Sequence, residues 1–433
     1  MASPAGRRGR DVRIGAVADD ITGATDLCLM LRRSGLRTIQ VMGVPTGALP
    51  EADAVVIALK SRSIPAEEAV TMSLAAARAL QAAGAEQILF KYCSTFDSTD
   101  KGNIGPVAEA LMGLTGTELT IACPSFPAAG RTVYKGHLFV GDQLLSDSPL
   151  KDHPLNPMTD ANLVRVLQRQ TALPVGLSQI GTIRQGADAL KADFAAQARA
   201  GKRILIVDTL SDDDLLTIGA ACEGMALVTG GSGIALGLAA NFTRSGKVVP
   251  QPAETRMAAP KGRRAVLAGS CSAATLGQIA AAREAGLPMR ELDPTALAEG
   301  RVKLEDLVDW AASQPADAIP LIYSSAAPET LRQVQQALGR HQAGEMVEQA
   351  LAKIAQGLAA RGFSRFLIAG GETSGAVVAA LGVTTLAIGP EIAPGVPWTR
   401  SVAGPDLALA LKSGNFGGRD FFLSAWDMLS DAE

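Results

Sequence analysis

The chain has 433 residues, of which 47% are apolar and 19% charged, so it can bury a sizeable core and lies far from the disordered range. A formal net charge of −3 and only 4% aromatic residues argue against a basic or base-stacking nucleic-acid surface, and against electrostatic attraction to an anionic membrane. At roughly 150 residues per domain the length suggests two or three domains.

Residues 1–11 are basic, contain Pro and Gly and lack an apolar stretch; they read as a disordered tail, not a secretory signal. Residues 12–17 read as a first strand and 22–33 as a helix entered from an acidic turn. A strand at 54–58, a helix at 66–83 stopped by Gly84, and strands at 88–90 and 119–122 follow. Continuous apolar strands separated by helices predict buried, mostly parallel sheets. Between residues 124 and 157 Pro, Gly, His and Asp accumulate, which predicts a long irregular loop of the kind that carries function. Strands resume at 203–207 and 225–229.

A stretch rich in Pro and charge, 248–263, reads as a connection between domains 12–247 and 264–433. The second domain opens with a strand at 264–268 and continues with strands at 319–323, 365–369 and 384–388. The expected fold is α/β, two domains with mostly parallel sheets flanked by helices and an active site in the interdomain cleft. The run 220–240 contains Glu223 and several glycines, which excludes it as a membrane span. Cys28, Cys93, Cys123, Cys222 and Cys271 have no CxxC spacing, and His137, His153 and His341 are far apart, so no zinc pattern exists. The cysteines read as reduced, buried small hydrophobes of a cytoplasmic protein.

Five segments carry candidate chemistry. Asp19-Asp20-Ile21-Thr22-Gly23 places two carboxylates at the end of the first strand and before a helix, where open α/β sheets bind ligands. One could bind a substrate hydroxyl and the other take its proton; the bland alternative is a helix cap. The run Lys91-Tyr92-Cys93-Ser94-Thr95-Phe96-Asp97-Ser98-Thr99-Asp100-Lys101-Gly102-Asn103 packs hydroxyls, an amide, cations and acids after a buried strand. A polyhydroxy carboxylate could use Lys91 for its charge and Ser94, Thr95, Asp97, Ser98 or Asn103 for its hydroxyls. The bland alternative is a polar loop with an N-cap.

Gly269-Ser270-Cys271-Ser272 and Gly370-Gly371-Glu372-Thr373-Ser374-Gly375 each follow a buried strand and open a helix. Their backbone N–H groups suit phosphates, their hydroxyls suit phosphate oxygens, and Glu372 suits a metal or a ribose. Ser413-Gly414-Asn415-Phe416-Gly417 is a late glycine loop that could cover the nucleoside. No GxxxxGK[ST] motif occurs. Gly231-Ser232-Gly233-Ile234-Ala235-Leu236-Gly237 imitates a dinucleotide turn with the wrong spacing, which keeps an NAD-dependent hydroxy-acid dehydrogenase as a competing class. A sugar-acid-binding regulator without catalysis is the non-enzyme alternative.

Taken together, Asp19-Asp20-x-Thr22-Gly23, the Lys91 segment with its Ser-Thr pairs and Gly102-Asn103, Gly370-Gly371-Glu372-Thr373-Ser374-Gly375 and Lys412-Ser413-Gly414-Asn415-Phe416-Gly417 resemble the four-carbon acid sugar kinases over nearly the whole chain. Within that family Lys91–Thr99 and residues 130–140 look like the subgroup that acts on 3-oxo-tetronates. Where many members carry an arginine before Gly-Asn, this chain has Lys101. The resemblance implies an N-terminal sugar-acid domain, a C-terminal ATP domain, and transfer from ATP with Mg²⁺ to the terminal hydroxyl of a four-carbon acid. The acid is 3-oxo-tetronate (3-dehydro-erythronate), or a related tetronate such as threonate or erythronate. It implies Asp20 and Asp19 as catalytic. Thr22, Gly23, Lys91, Ser94, Thr95, Asp97, Ser98, Asn103 and Arg131 are the implied substrate contacts. Ser270, Ser272, Gly370–Gly375 and Gly414 are the implied ATP contacts. The implied partners are the small sugar acid and ATP, with no nucleic acid and no membrane; a homo-oligomer is compatible with it.

Overall fold

A computed structural model describes residues 12–152, 156–252, 254–324 and 340–431. The expected tail at 1–11 and His153 lie outside the described residues, as does the side chain of His341. The chain forms two compact units that divide after Pro252.

The first unit carries strands β1 (Ile14–Ala18), β2 (Thr38–Met42), β3 (Ala54–Ala58), β4 (Gln87–Lys91), β5 (Thr120–Cys123), β6 (Arg131–Tyr134), β7 (His137–Val140), β8 (Gln143–Leu144), β9 (Val175–Ser178), β10 (Ile204–Val207) and β11 (Leu227–Gly230). Eight of them run parallel in the order β2-β3-β1-β4-β11-β5-β10-β9. Every residue of β1, β3 and β4 is buried, as strands covered on both faces must be. Val17, Ile57, Phe90 and Ile206 pack with Ala76 and Leu80 of the helix Ala66–Ala82. β1 lies between β3 and β4, so the chain departs to both sides of it, and the carboxyl end of such a strand is a switch point. Lys91 ends β4 directly beside Ala18; the acidic turn and the lysine segment therefore leave neighbouring strands at one edge.

One expectation needs correcting here, and one strand was not foreseen. Residues 124–157 are not a long irregular loop: β6, β7 and β8 form a small antiparallel sheet within them. The strand Thr38–Met42 was not expected, because Gln40 interrupts its apolar run; the structure buries that amide, which takes a hydrogen bond from Thr25 Oγ1 at 2.9 Å.

The second unit carries β12 (Met257–Ala259), β13 (Arg263–Ala268), β14 (Met289–Glu291), β15 (Leu321–Tyr323), β16 (Phe363–Ala369), β17 (Thr385–Ala393), β18 (Val396–Ala403), β19 (Ala408–Lys412) and β20 (Leu429–Asp431). The order is β14-β15-β13-β16-β19-β18-β17, parallel as far as β19 and antiparallel beyond it. The expected connection at 248–263 is shorter than its composition suggests, because β12 pairs with β20 and β13 begins at Arg263. Trp398, Trp426, Phe421 and Phe422 anchor this unit's core, and Trp398 Nε1 donates to Ala425 O at 2.7 Å. Among the described residues no helix is long and apolar enough to cross a membrane.

Candidate active site

The acidic turn is built by the end of β1 and the start of the helix Ile21–Arg33. Asp20 caps that helix from an extended backbone: its Oδ2 accepts from Gly23 N at 3.0 Å and from Thr22 Oγ1 at 2.9 Å. The cap is real, but it uses only one carboxylate oxygen. Oδ1 faces Lys91 Nζ at 3.6 Å and forms a close ion pair with Arg62 Nη2. Arg62 also forks onto Asp19, Nε to Oδ2 at 2.9 Å and Nη2 to Oδ1 at 2.7 Å. Gly23 leaves room for this crowding: a Cβ there would lie 2.0 Å from Lys91 Nζ and 2.2 Å from Asp20 Oδ1, so any larger residue would displace both side-chain ends.

Two acids sharing two cations take different electrostatic roles. Burial raises the Asp19 pKa, and Arg62 only partly opposes it. Burial also pushes Asp20 upward, but Arg62, Lys91, the Gly23 N–H and the Thr22 hydroxyl outweigh it and hold Asp20 well below the usual carboxylate range. For Arg62, burial works against the charge and the two carboxylates overcome it, raising its pKa well above normal. Asp19 is 8% exposed at its side chain and Asp20 24%, so Asp20 is the carboxylate a ligand can reach.

Arg62 was missed in the sequence. It sits in a short loop after β3 with no motif around it; only the chain order of strand ends at a switch point could have drawn attention to it. Asn103 explains how that loop is held. It occupies the N-cap position of the helix Ile104–Thr115 but makes no capping bond. Its Nδ2 donates instead to Ser61 O at 2.6 Å, Ile64 O at 3.0 Å and Arg62 O at 3.2 Å. Its Oδ1 is buried with no donor among the described residues.

The rest of the lysine segment divides. Thr95 Oγ1 donates to Asp97 Oδ1 at 2.7 Å and lies 2.7 Å from Cys93 Sγ. Burial, with Asp97 adding to it, pushes the Cys93 thiol up to about 12, so it is no nucleophile at neutral pH. Phe96 adopts a left-handed backbone (φ 55°) and is held there edge-on to Tyr92, with ring centroids 5.4 Å apart. Strain of this kind, about 1–3 kcal/mol, clusters where a turn must aim functional groups. Ser94 is half-buried on that turn. Ser98, in contrast, accepts from Gln170 Nε2 at 2.8 Å and lines a cavity of about 370 Å³ with Thr99, Lys101, Met158 and Arg169; neither acid of the turn lines it. Arg131 donates to Ala129 O, its Nε is buried without an acceptor, and no hydrogen bond or ion pair among the described residues joins it to the acidic turn.

In the second unit β13, β16 and β19 are adjacent and parallel, and a small-residue turn leaves the carboxyl end of each. Ser272 caps the helix Ala273–Glu284 through Thr275 N at 3.2 Å and donates to Gly414 O at 2.6 Å. Gly370 (φ 127°) opens the helix Gly371–Ala380, and its N–H bonds Lys412 O at 2.9 Å. A Cβ on Gly269 would stand 2.3 Å from Thr373 Oγ1, and one on Gly414 would stand 2.4 Å from Ser270 Oγ. Glycine thus lets the three turns close on one another's hydroxyls into one cradle. Gly371 and Gly375 belong to the helix that follows. Thr373 and Ser374 are buried against the cradle, with no partner for Ser374 Oγ among the described residues, while Glu372 is exposed.

The Gly231 turn has another use. Cβ atoms on Gly231 and Gly233 would stand 2.5 Å from Pro124 O and 2.4 Å from Ser125 O. Ser232 Oγ donates to Asp26 on the helix Ile21–Arg33. These glycines pack backbone against backbone, which removes the observation that motivated a dehydrogenase.

The comparisons with known proteins agree with this division. A model of a sugar-binding N-terminal domain matches residues 14–238, and one of a nucleotide-binding C-terminal domain matches residues 265–422. A Pseudomonas fluorescens protein named 3-oxo-tetronate kinase is 53% identical over 97% of this chain and 98% of its own. A Cupriavidus necator protein of the same name is 54% identical over 94% of this chain and 95% of its own. A solved chain from Salmonella typhimurium LT2, provisionally described as a tRNA synthase, is 42% identical with a TM-score of 0.86 and covers 95% of this chain and 98% of its own. One from Haemophilus influenzae is 41% identical with a TM-score of 0.79, over 96% and 99%. With two acids and two cations gathered at neighbouring strand ends of the first unit, glycine turns at neighbouring strand ends of the second, and full-length similarity at this level, the chain belongs to the four-carbon acid sugar kinase family.

Proposed function

We propose that this kinase transfers the γ-phosphoryl group of ATP to the 4-hydroxyl of 3-oxo-tetronate, giving the 4-phosphate. The observation that carries the acceptor half is Asp20, a carboxylate held ionised by Arg62 and Lys91 yet the more open of the pair. Phosphoryl transfer has a loose transition state, so positioning and charge matter more than covalent chemistry. Asp20 accepts the hydrogen bond of the attacking hydroxyl and aims it. Asp19, locked by the Arg62 fork, fixes that guanidinium and through it Asp20. The buried Asn103 Oδ1 is a ready acceptor for a further substrate hydroxyl. Lys91, and Arg131 with its unpaired Nε, are the candidate partners of the substrate carboxylate, and the Ser94–Asp97 turn offers hydroxyls beside Lys91.

The nucleotide half is supported by the cradle. Ser270, Ser272, the Gly370–Gly375 turn and Gly414 bring backbone N–H groups, hydroxyls and two helix N-termini to one place. The partnerless Ser374 hydroxyl fits an oxygen-rich ligand. The exposed Glu372 carboxylate would help hold the magnesium carried with the nucleotide, which would supply positive charge against the polyphosphate.

A coupled assay of ATP consumption over a panel of four-carbon acids, with and without the 3-oxo group, tests the reading. Turnover is expected to be fastest with a 3-oxo-tetronate. Equal or faster turnover of threonate or erythronate would replace the substrate, and ATP-independent binding alone would remove the reaction.

A further inference from the structure

β19, Ala-Leu-Ala-Leu-Lys, is buried along its whole length, and its last residue is a lysine with no exposed surface. Lysine is rarely buried without a carboxylate. Lys412 Nζ donates to Thr275 Oγ1 at 3.0 Å and to Gly414 O at 3.0 Å. Among the described residues nothing accepts its third N–H and no acid pairs with it. The titratable groups on the surrounding elements are Cys271 ahead of the helix Ala273–Glu284, Arg283 and Glu284 at that helix's far end, Arg365 on β16, Arg400 on β18 with its partner Asp406, and Glu372 on the helix Gly371–Ala380. None offsets the ammonium: burial alone acts on Lys412 and lowers its pKa to about 8. The uncompensated charge stands behind the Ser270–Ser272 and Gly414 turns, between two helix N-termini.

We infer that Lys412 is a positioning residue of the nucleotide cradle: its ammonium clamps Gly414 to Thr275, and the counter-charge it lacks is the nucleotide's polyphosphate. This rests on the nucleotide reading above and extends it to a residue buried beneath the surface of the cradle. The clamp tells a polyphosphate from a neutral ligand, because only an anion repays the desolvated charge. It also couples binding to protons. An anion nearby raises the proton affinity of Lys412, so nucleotide binding above pH 8 takes up a proton at this side chain. Phosphate oxygens themselves titrate near pH 6 and are silent there.

The test is calorimetric titration of the full chain with MgATP at pH 7 to 9.5, in buffers of different ionisation enthalpy. The wild-type chain is expected to take up protons above pH 8 and to lose affinity by up to about tenfold per pH unit. Lys412→Met should weaken MgATP binding at pH 7 by about tenfold to a hundredfold, as loss of a charge-assisted contact does. It should remove the pH dependence and leave the KM for the sugar acid within twofold. Lys412→Arg should restore affinity without the pH dependence, since arginine stays ionised. Proton uptake by the wild-type chain decides the matter even where a variant fails to fold. No uptake, or a Lys412→Met affinity within twofold of wild type, overturns the assignment and leaves the kinase reading standing. A wild-type chain that does not bind MgATP overturns both.

Discussion

The acceptor turn and the nucleotide cradle are both built at carboxyl ends of parallel strands, yet they treat charge in opposite ways. At the acceptor turn Asp19 and Asp20 face Arg62 and Lys91, so the protein balances its own charges before any ligand arrives. In the cradle a buried ammonium is held by a hydroxyl and a carbonyl, and among the described residues no acid pairs with it. The first arrangement suits a ligand that must be aimed among fixed groups. The second suits a ligand that brings several negative charges with it.

Removing a carboxylate from the balanced site should have the largest effect. Asp20→Asn keeps the size and one capping oxygen but loses the charge. Steady-state kinetics should show kcat lower by about 10²–10⁴, the range for a lost positioning or base group, with the KM for ATP little changed. Unchanged turnover would remove Asp20 from the chemistry and leave it as a helix cap.

Arg62→Met breaks the balance from the other side. It leaves two part-buried carboxylates with only Lys91, and loss of one member of such a cluster destabilises by about 3–5 kcal/mol. A urea titration measures that directly. The pH profile gives a second readout. Arg62 is the strongest group opposing burial at both acids; without it burial dominates, both carboxyls bind protons more readily, and the acidic limb of kcat/KM should move to higher pH. An acidic limb that stays in place would mean the limb belongs to another group.

Gly23→Ala is gentler because the fold around the turn is untouched. Its methyl would displace Lys91 Nζ and Asp20 Oδ1. A shift of about 1 Å in an aiming group costs up to about 10²-fold in kcat/KM. Thermal stability should fall far less than activity, and a parallel fall in both would point to a structural role only.

How much of this was legible in the sequence follows the same contrast. Apolar runs such as residues 14–17 and 88–90 announce buried parallel strands because nothing polar interrupts them, and the glycine turns announce close backbone approach. Arg62 and Asn103 were harder, for different reasons. Arg62 reaches the acidic pair only because three strand ends meet, which is a property of strand order and not of local composition. Asn103 was visible as part of a Gly-Asn motif, but its position reads as an ordinary helix cap, and only the structure turns its amide toward residues 61–64. Lys412 was seen as part of a loop ending, where nothing in Leu-Lys-Ser-Gly tells a solvated lysine from a buried one.

The unbalanced site makes the smallest and least intuitive prediction. A lysine whose pKa is depressed in the folded chain binds a proton less well there than when unfolded. Between about pH 8 and 10.5 the unfolded chain therefore holds more protons, and stability from this group rises with pH across that window. At pH 7 the group opposes folding by on the order of 3 kcal/mol. Lys412→Met removes that penalty but also two hydrogen bonds of about 1 kcal/mol each. The nucleotide-free variant should be as stable as wild type at pH 7, or more stable by about 1 kcal/mol. Its advantage should disappear by pH 10, where the wild-type lysine is neutral in the folded chain. Denaturant titrations at the two pH values measure the difference. A variant destabilised by several kcal/mol at pH 7 would mean that the ammonium holds the fold together, and that the charge in the cradle is already balanced without a ligand.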